Sequence, residues 1–155
     1  FEILKAVEKV NANQKLHLVE KIKAYYKNDL QGKHFALWGL AFKPNTDDIR
    51  EAPALSIIDA LISAGATVTA YDPEAMPNVK AQIGDKIKFA ENQYQALEGA
   101  AALIIATEWS EFRTPDFDLI EQQLRSNMVV FDGRNLFDLA KMKDLGYHYE
   151  SIGRS

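Results

Sequence analysis

The sequence predicts a doubly wound parallel α/β sheet of about five or six strands, preceded by a long N-terminal helix. Three observations carry this. From Lys33 onward, short apolar runs alternate with segments of helical period, the rhythm of strand–helix–strand units. The runs His34–Trp38, Ala102–Ala106 and Met128–Phe131 are nearly continuous in apolar residues, as strands buried on both faces are. Before Lys33, apolar residues recur at intervals of three and four with no Gly or Pro until Gly32, which places them on one helical face.

The helix comes first. Ile3, Val7 and Val10, then Leu18, Ile22 and Tyr25, form its apolar stripe, and the turn at 28–32 ends it. Such a helix either covers the domain behind it or connects and dimerises, so residues 1–30 are assigned to a linking or dimerisation helix and 31–155 to the α/β domain. His34–Trp38 is the first strand. Ala54–Ala64 follows as a helix with Leu55, Ile58, Leu61 and Ile62 on one side and Gly65 as its C-cap. Thr67–Tyr71 is the second strand, Ile87–Phe89 a weak third, and Tyr94–Gly99 a short helix. Ala102–Ala106 is the fourth strand, Asp118–Arg125 a helix, Met128–Phe131 the fifth strand, Leu136–Leu145 a helix and Tyr147–Ile152 the last strand.

Composition narrows the function. The chain has 155 residues, 18 Lys+Arg against 22 Asp+Glu for a net charge of −4, and no cysteine. Disulfides, thiolate metal sites and a cysteine nucleophile are therefore excluded within it, which fits a cytoplasmic setting. The acidic balance provides no footprint for nucleic acid. No apolar run reaches the ~18 residues that span a bilayer, and no basic amphipathic stretch suits a membrane surface. The chain opens on Phe1 in mid-pattern, without an initiator Met, as a piece of a longer protein does.

In a doubly wound sheet ligands sit beyond the carboxyl ends of the strands, so the residues after each strand bear the chemistry. A dinucleotide fingerprint after the first strand would place glycines at positions 39, 41 and 44. Gly39 is there, but Ala41 and Pro44 replace the others, and Pro44 also removes an N–H donor. The loop carries Lys43 and Arg50 instead, and Arg134 follows the fifth strand. Lys43 and Arg134 converging at one edge suit a phosphate or diphosphate; taken singly, a Lys or Arg after a strand is more often a solvated surface charge. Asp72 stands where a ribose-binding acid would lie. Asp47 and Asp48 have too few neighbouring ligands for a metal, and His17, His34 and His148 share no metal-like spacing. Ser110, Ser126 and Ser151 lack a nucleophile elbow.

The stretch from Gly39 to Pro53, Gly-Leu-Ala-Phe-Lys-Pro-Asn-Thr-Asp-Asp-Ile-Arg-Glu-Ala-Pro, closely resembles a signature of the nucleotide-sugar 6-dehydrogenases, the UDP-glucose/GDP-mannose dehydrogenase family. Tyr71-Asp72-Pro73, Ala106-Thr107-Glu108-Trp109 and Asp132-Gly133-Arg134-Asn135 resemble the family's second, fourth and fifth strand endings, in order. Residues 6–14 are similar to the long helix joining the halves of these enzymes. The wording is most like members acting on UDP-glucose, with UDP-N-acetylmannosamine and GDP-mannose dehydrogenases as nearest relatives.

The resemblance implies a Rossmann-like C-terminal domain that binds UDP-glucose and UDP-glucuronate, inactive alone. It implies that Phe42, Lys43 and Arg134 contact the UDP-sugar and that Arg50 reaches across to NAD. It places the catalytic cysteine and most of the NAD site in an N-terminal domain outside this sequence, and makes a homodimer through the long helix the expected assembly. A free-standing nucleotide- or phosphate-sensing module is the competing reading.

Overall fold

The computed structural model describes residues 17–153. Helix α1 is described over residues 17–25; the first sixteen residues of the expected long helix lie outside the described residues. Six strands follow: β1 (His34–Trp38), β2 (Thr67–Tyr71), β3 (Lys88–Phe89), β4 (Ala102–Ile105), β5 (Val129–Asp132) and β6 (His148–Ser151). Between them lie α2 (Pro53–Ser63), α3 (Met76–Ile83), α4 (Ser110–Arg113), α5 (Phe117–Leu124) and α6 (Leu139–Asp144). All strands pair in parallel, in the order β3-β2-β1-β4-β5-β6.

Side-chain alternation along each central strand builds two cores. Phe35 and Leu37 of β1, Ala102 and Ile104 of β4, and Val129 and Phe131 of β5 enter one face, beneath Leu18 and Ile22 of α1, Ile57 and Leu61 of α2 and Val79 of α3. Their neighbours Ala36, Trp38, Leu103, Ile105 and Val130 enter the other, with Phe112 of α4, Ile120 and Leu124 of α5 and Met142 of α6. Every residue of β4 and β5 is buried. That explains the unbroken apolar runs, because a strand covered on both faces has no polar side. Tyr25 differs from its expected place on the buried stripe: it is 40% exposed, with its ring edge-on to Phe131 at 5.9 Å between centroids.

Helix ends follow local chemistry. α2 starts one residue earlier than its periodicity predicts because Pro53 occupies its first turn, where a missing N–H is harmless. It ends one residue earlier than expected, at Ser63 with Ala64 as the C-cap, and Gly65, the expected cap, follows with φ +89°. Ala66 N–H donates to the Leu61 carbonyl and Gly65 N–H to that of Ile62, at 3.0 Å each, a complete Schellman closure. The sequence pattern did not mark α3 or α4. α3 packs Met76, Val79 and Ile83 on the core but has only eight residues, and four-residue α4 buries only Phe112, so neither fills the longer window over which a helical period registers. The expected helix at 94–99 is a 3-10 turn, Gln95–Leu97.

Candidate functional site

The strand order reverses between β1 and β4, so the ligand side of the sheet is the edge where the loops after these strands meet. Gly39 opens the β1 loop with φ +99°. A Cβ there would lie 2.5 Å from Thr107 Cβ and 2.6 Å from its backbone N, so no other residue fits. The close approach is useful: Thr107 Oγ1 donates to the Ala41 carbonyl at 2.7 Å, clamping the β4 loop to the β1 loop.

Asp72, at the end of β2, is the hub of this edge and is fully buried. Its Oδ2 accepts from Leu40 N–H at 2.7 Å, Ala41 N–H at 3.0 Å and the Trp109 indole at 3.1 Å. Its Oδ1 accepts from Glu74 and Ala75 N–H, both at 2.8 Å. One carboxylate thus ties together the loops after β1, β2 and β4, with its charge offset by five donors. It cannot also hold a ribose in solvent reach. Sequence reasoning placed Asp72 at the right strand end but not its direction, since a Tyr-Asp-Pro string does not reveal which way the carboxylate turns.

Beyond Ala41 the loop turns outward. Phe42 donates its N–H to the Asp48 carbonyl at 2.8 Å, closing the loop on itself, while its ring is 40% exposed. Lys43 is exposed, and none of the ion pairs among the described residues includes it. Asn45 and Glu51 hold positive φ of 64° and 57°, a left-handed geometry unusual for non-glycine residues. Asn78 Nδ2 donates to the Asp47 carbonyl at 2.9 Å, anchoring the loop tip to α3. Arg50 grips the Asp48 carboxylate at two points, Nε–Oδ1 3.1 Å and Nη2–Oδ2 3.0 Å. That hydrogen bonding is the main reason the Asp48 carboxyl is pulled down to about 2.

Arg134 lies across the β4–β5 boundary. Its Nε and Nη2 donate to Glu108 at 2.5 and 2.7 Å, and these bonds hold the Glu108 carboxyl below its ordinary range. The guanidinium is gripped along one side, so Nη1 and the outer Nη2 hydrogen stay available as a fork. Asp132 fixes the backbone beneath: Oδ1 accepts from Arg134 N–H at 2.9 Å, and Oδ2 from Leu136 N–H and the Tyr149 hydroxyl, both at 2.7 Å.

The four expected site residues therefore share one edge but form two groups. Lys43 and Arg50 both bear on Asp48, whereas Arg134 is organised by Glu108 on the β4–β5 side. Between β1, β2 and β4 a cleft of about 520 Å³ is lined by Asn45, Thr46, Asp47, Glu74 and Trp109; its two carboxylates make it unsuited to phosphate. Among the described residues no group of three His, Asp or Glu could hold a metal, and no helix is long and apolar enough to cross a membrane. The backbone at β1 does not fit the pyrophosphate of NAD either. Ala41 and Pro44 stand where close approach needs glycine, and the Leu40 and Ala41 amides are already bonded to Asp72.

A six-stranded parallel sheet in this order, with cations on the loops at its reversal point, defines a Rossmann-like α/β domain of the nucleotide-binding kind. The chain belongs to the UDP-glucose/GDP-mannose dehydrogenase family: residues 36–139 match that family's UDP binding domain. It is 46% identical to UDP-glucose 6-dehydrogenase of Pseudomonas aeruginosa, over 99% of this chain and 35% of that protein. With UDP-glucose 6-dehydrogenase TuaD of Bacillus subtilis it shares 40% identity over 99% of this chain and 33% of the relative. Its fold matches the structure of a UDP-glucose dehydrogenase from Pyrobaculum islandicum with a TM-score of 0.80 and 32% identity, over 97% of this chain and 32% of that one. The chain spans about a third of the length of the curated relatives it matches.

Proposed function

We propose that this chain is the nucleotide-sugar-binding part of an NAD-dependent UDP-glucose 6-dehydrogenase, a cytoplasmic enzyme that oxidises UDP-glucose to UDP-glucuronate in two steps. Residues 31–155 bind the UDP-sugar, and residues 1–30, with α1 among them, are the segment that links to the NAD-binding domain and dimerises. The observation that carries the reading is the arrangement of the sheet edge. Phe42 and Lys43 project beyond β1, Arg134 presents a free fork beyond β5, and the backbone between them is closed to phosphate. In this scheme Lys43 and Arg134 bind the diphosphate, Phe42 supplies an apolar surface beside it, and Arg50 reaches towards NAD on the partner domain. With no cysteine in the chain, the thiohemiacetal chemistry of such enzymes belongs to the other domain, so the chain alone binds without turnover.

Calorimetric titration with UDP-glucose and with UDP tests the reading. A charged hydrogen bond is worth about 1.5–3 kcal/mol, or about 10- to 150-fold in affinity. Lys43→Ala and Arg134→Ala should each weaken binding within that range; unchanged affinity in both would overturn the site. Assaying the full-length protein with NAD against UDP-glucose, UDP-N-acetylmannosamine and GDP-mannose identifies the sugar, and UDP-glucose is expected to be oxidised fastest.

A further inference from the structure

The turn after β1 aims two consecutive backbone N–H groups, those of Leu40 and Ala41, at one point. Converging amides of this kind form anion-binding concavities at strand ends, and the Trp109 indole N–H converges on the same point from the β4 loop. The atom at that point is Asp72 Oδ2. The same carboxylate uses Oδ1 for a different task, accepting from Glu74 and Ala75 N–H ahead of α3. The two oxygens thus separate a turn-closing role from a second one directed at the β1 loop.

We propose that Asp72 sets the ligand class of this sheet edge: its carboxylate is a built-in anion that fills the backbone cradle at the end of β1. A nucleotide phosphate brought to Leu40 and Ala41 would meet a buried carboxylate at hydrogen-bond distance and no free donor. Phosphate recognition is thereby moved off the backbone and onto side-chain cations farther out, and dinucleotides that need the cradle are refused. This concerns what the cradle holds, whichever nucleotide Lys43 and Arg134 take, so it can fail while the UDP-sugar reading stands, and the reverse.

Chemical rescue of the 155-residue chain tests it. Asp72→Ala removes a group the size of formate. Sodium formate, compared with sodium chloride at equal ionic strength, should raise the Tm of this variant saturably by several degrees. Formamide, neutral and of the same shape, should not, and the native chain should respond to neither. Equal effects of formate and formamide, or no effect of either on a folded variant, would overturn the proposal.

If Asp72→Ala does not fold without additive, folding in formate but not in formamide supports the proposal in the same way. If it folds in neither, Asp72→Asn decides by amide hydrogen exchange, because Asn keeps an oxygen for Glu74 and Ala75 but turns an NH2 towards the cradle. Leu40 and Ala41 should then exchange at least about tenfold faster while Glu74 and Ala75 stay native-like. Native protection at Leu40 and Ala41 would refute the cradle.

Discussion

Glu108 holds Arg134 by two parallel hydrogen bonds, from Nε at 2.5 Å and Nη2 at 2.7 Å, across the ends of β4 and β5. The pair is half-buried, which reduces screening by solvent, and it fixes the plane in which the remaining Arg134 donors lie. Glu108 therefore trades part of the cationic field for orientation.

The pair has an acid limb. Hydrogen bonding to Arg134 is the main cause that lowers the Glu108 carboxyl from its ordinary 4.5. A carboxyl lowered on folding stabilises above its ordinary value, and that contribution is lost as pH falls through the folded one. Glu108→Gln is therefore expected to lower Tm at pH 7, with the difference from the native chain shrinking below about pH 4.5. Thermal melts across pH 3 to 7 (roughly the range over which carboxylates titrate) check this; a constant difference across the range would mean that the pair is not what Glu108 contributes.

Much of this site was legible in the sequence, and the illegible part has a common cause. Strand-end cations and missing glycines are local features, so Lys43, Arg50 and Arg134 could be read from position alone. The partners are not all local: Asp48 is two residues from Arg50, but Glu108 is 26 from Arg134, and Asp72, which occupies the β1 backbone amides, is 31 from Ala41. The same holds for the fold. β1, β4 and β5 announce themselves because burial on both faces writes an apolar run, whereas α3 sets Met76, Val79 and Ile83 on the core within only eight residues, too short a window for its period to stand out.

Gly39 should be the least replaceable glycine at this edge. Its φ of +99° disfavours any side chain, and Thr107 leaves no room for one. Gly39→Ala is expected to cost about 3 kcal/mol or more, strain and clash together. Gly84 has φ +61° and ψ −130° with nothing near its Cβ position, so Gly84→Ala should cost backbone strain alone, about 1–3 kcal/mol and less than Gly39→Ala. Urea unfolding of both variants measures the difference, and equal losses would show that the Thr107 contact relaxes without penalty.

Tyr149 supports Arg134 from below. Its hydroxyl donates to Asp132 Oδ2 at 2.7 Å, and Asp132 Oδ1 accepts from Arg134 N–H. A neutral donor on a buried carboxylate contributes about 1.5–3 kcal/mol, so Tyr149→Phe should destabilise the chain by roughly that much. Because the Leu136 and Arg134 amides remain on Asp132, the fold should persist, and denaturant titration with an unchanged slope is the expected result.

Arg50 and Asp48 present the opposite case, a pair of good geometry in open solvent. The Arg50 side chain is 88% exposed, so salt and water screen the attraction that draws the Asp48 carboxyl from 3.8 to about 2. The stabilising contribution is present above pH 3.8 and lost as pH falls towards 2, but exposed pairs of this kind contribute little to folding. Arg50→Ala is therefore expected to leave Tm at neutral pH unchanged while moving the Asp48 midpoint up towards 3.8, read by carbon NMR of its carboxyl. Raising the salt concentration on the native chain should move the midpoint the same way. An unmoved midpoint in Arg50→Ala would assign the depression to the loop backbone and leave Arg50 with no hold on Asp48.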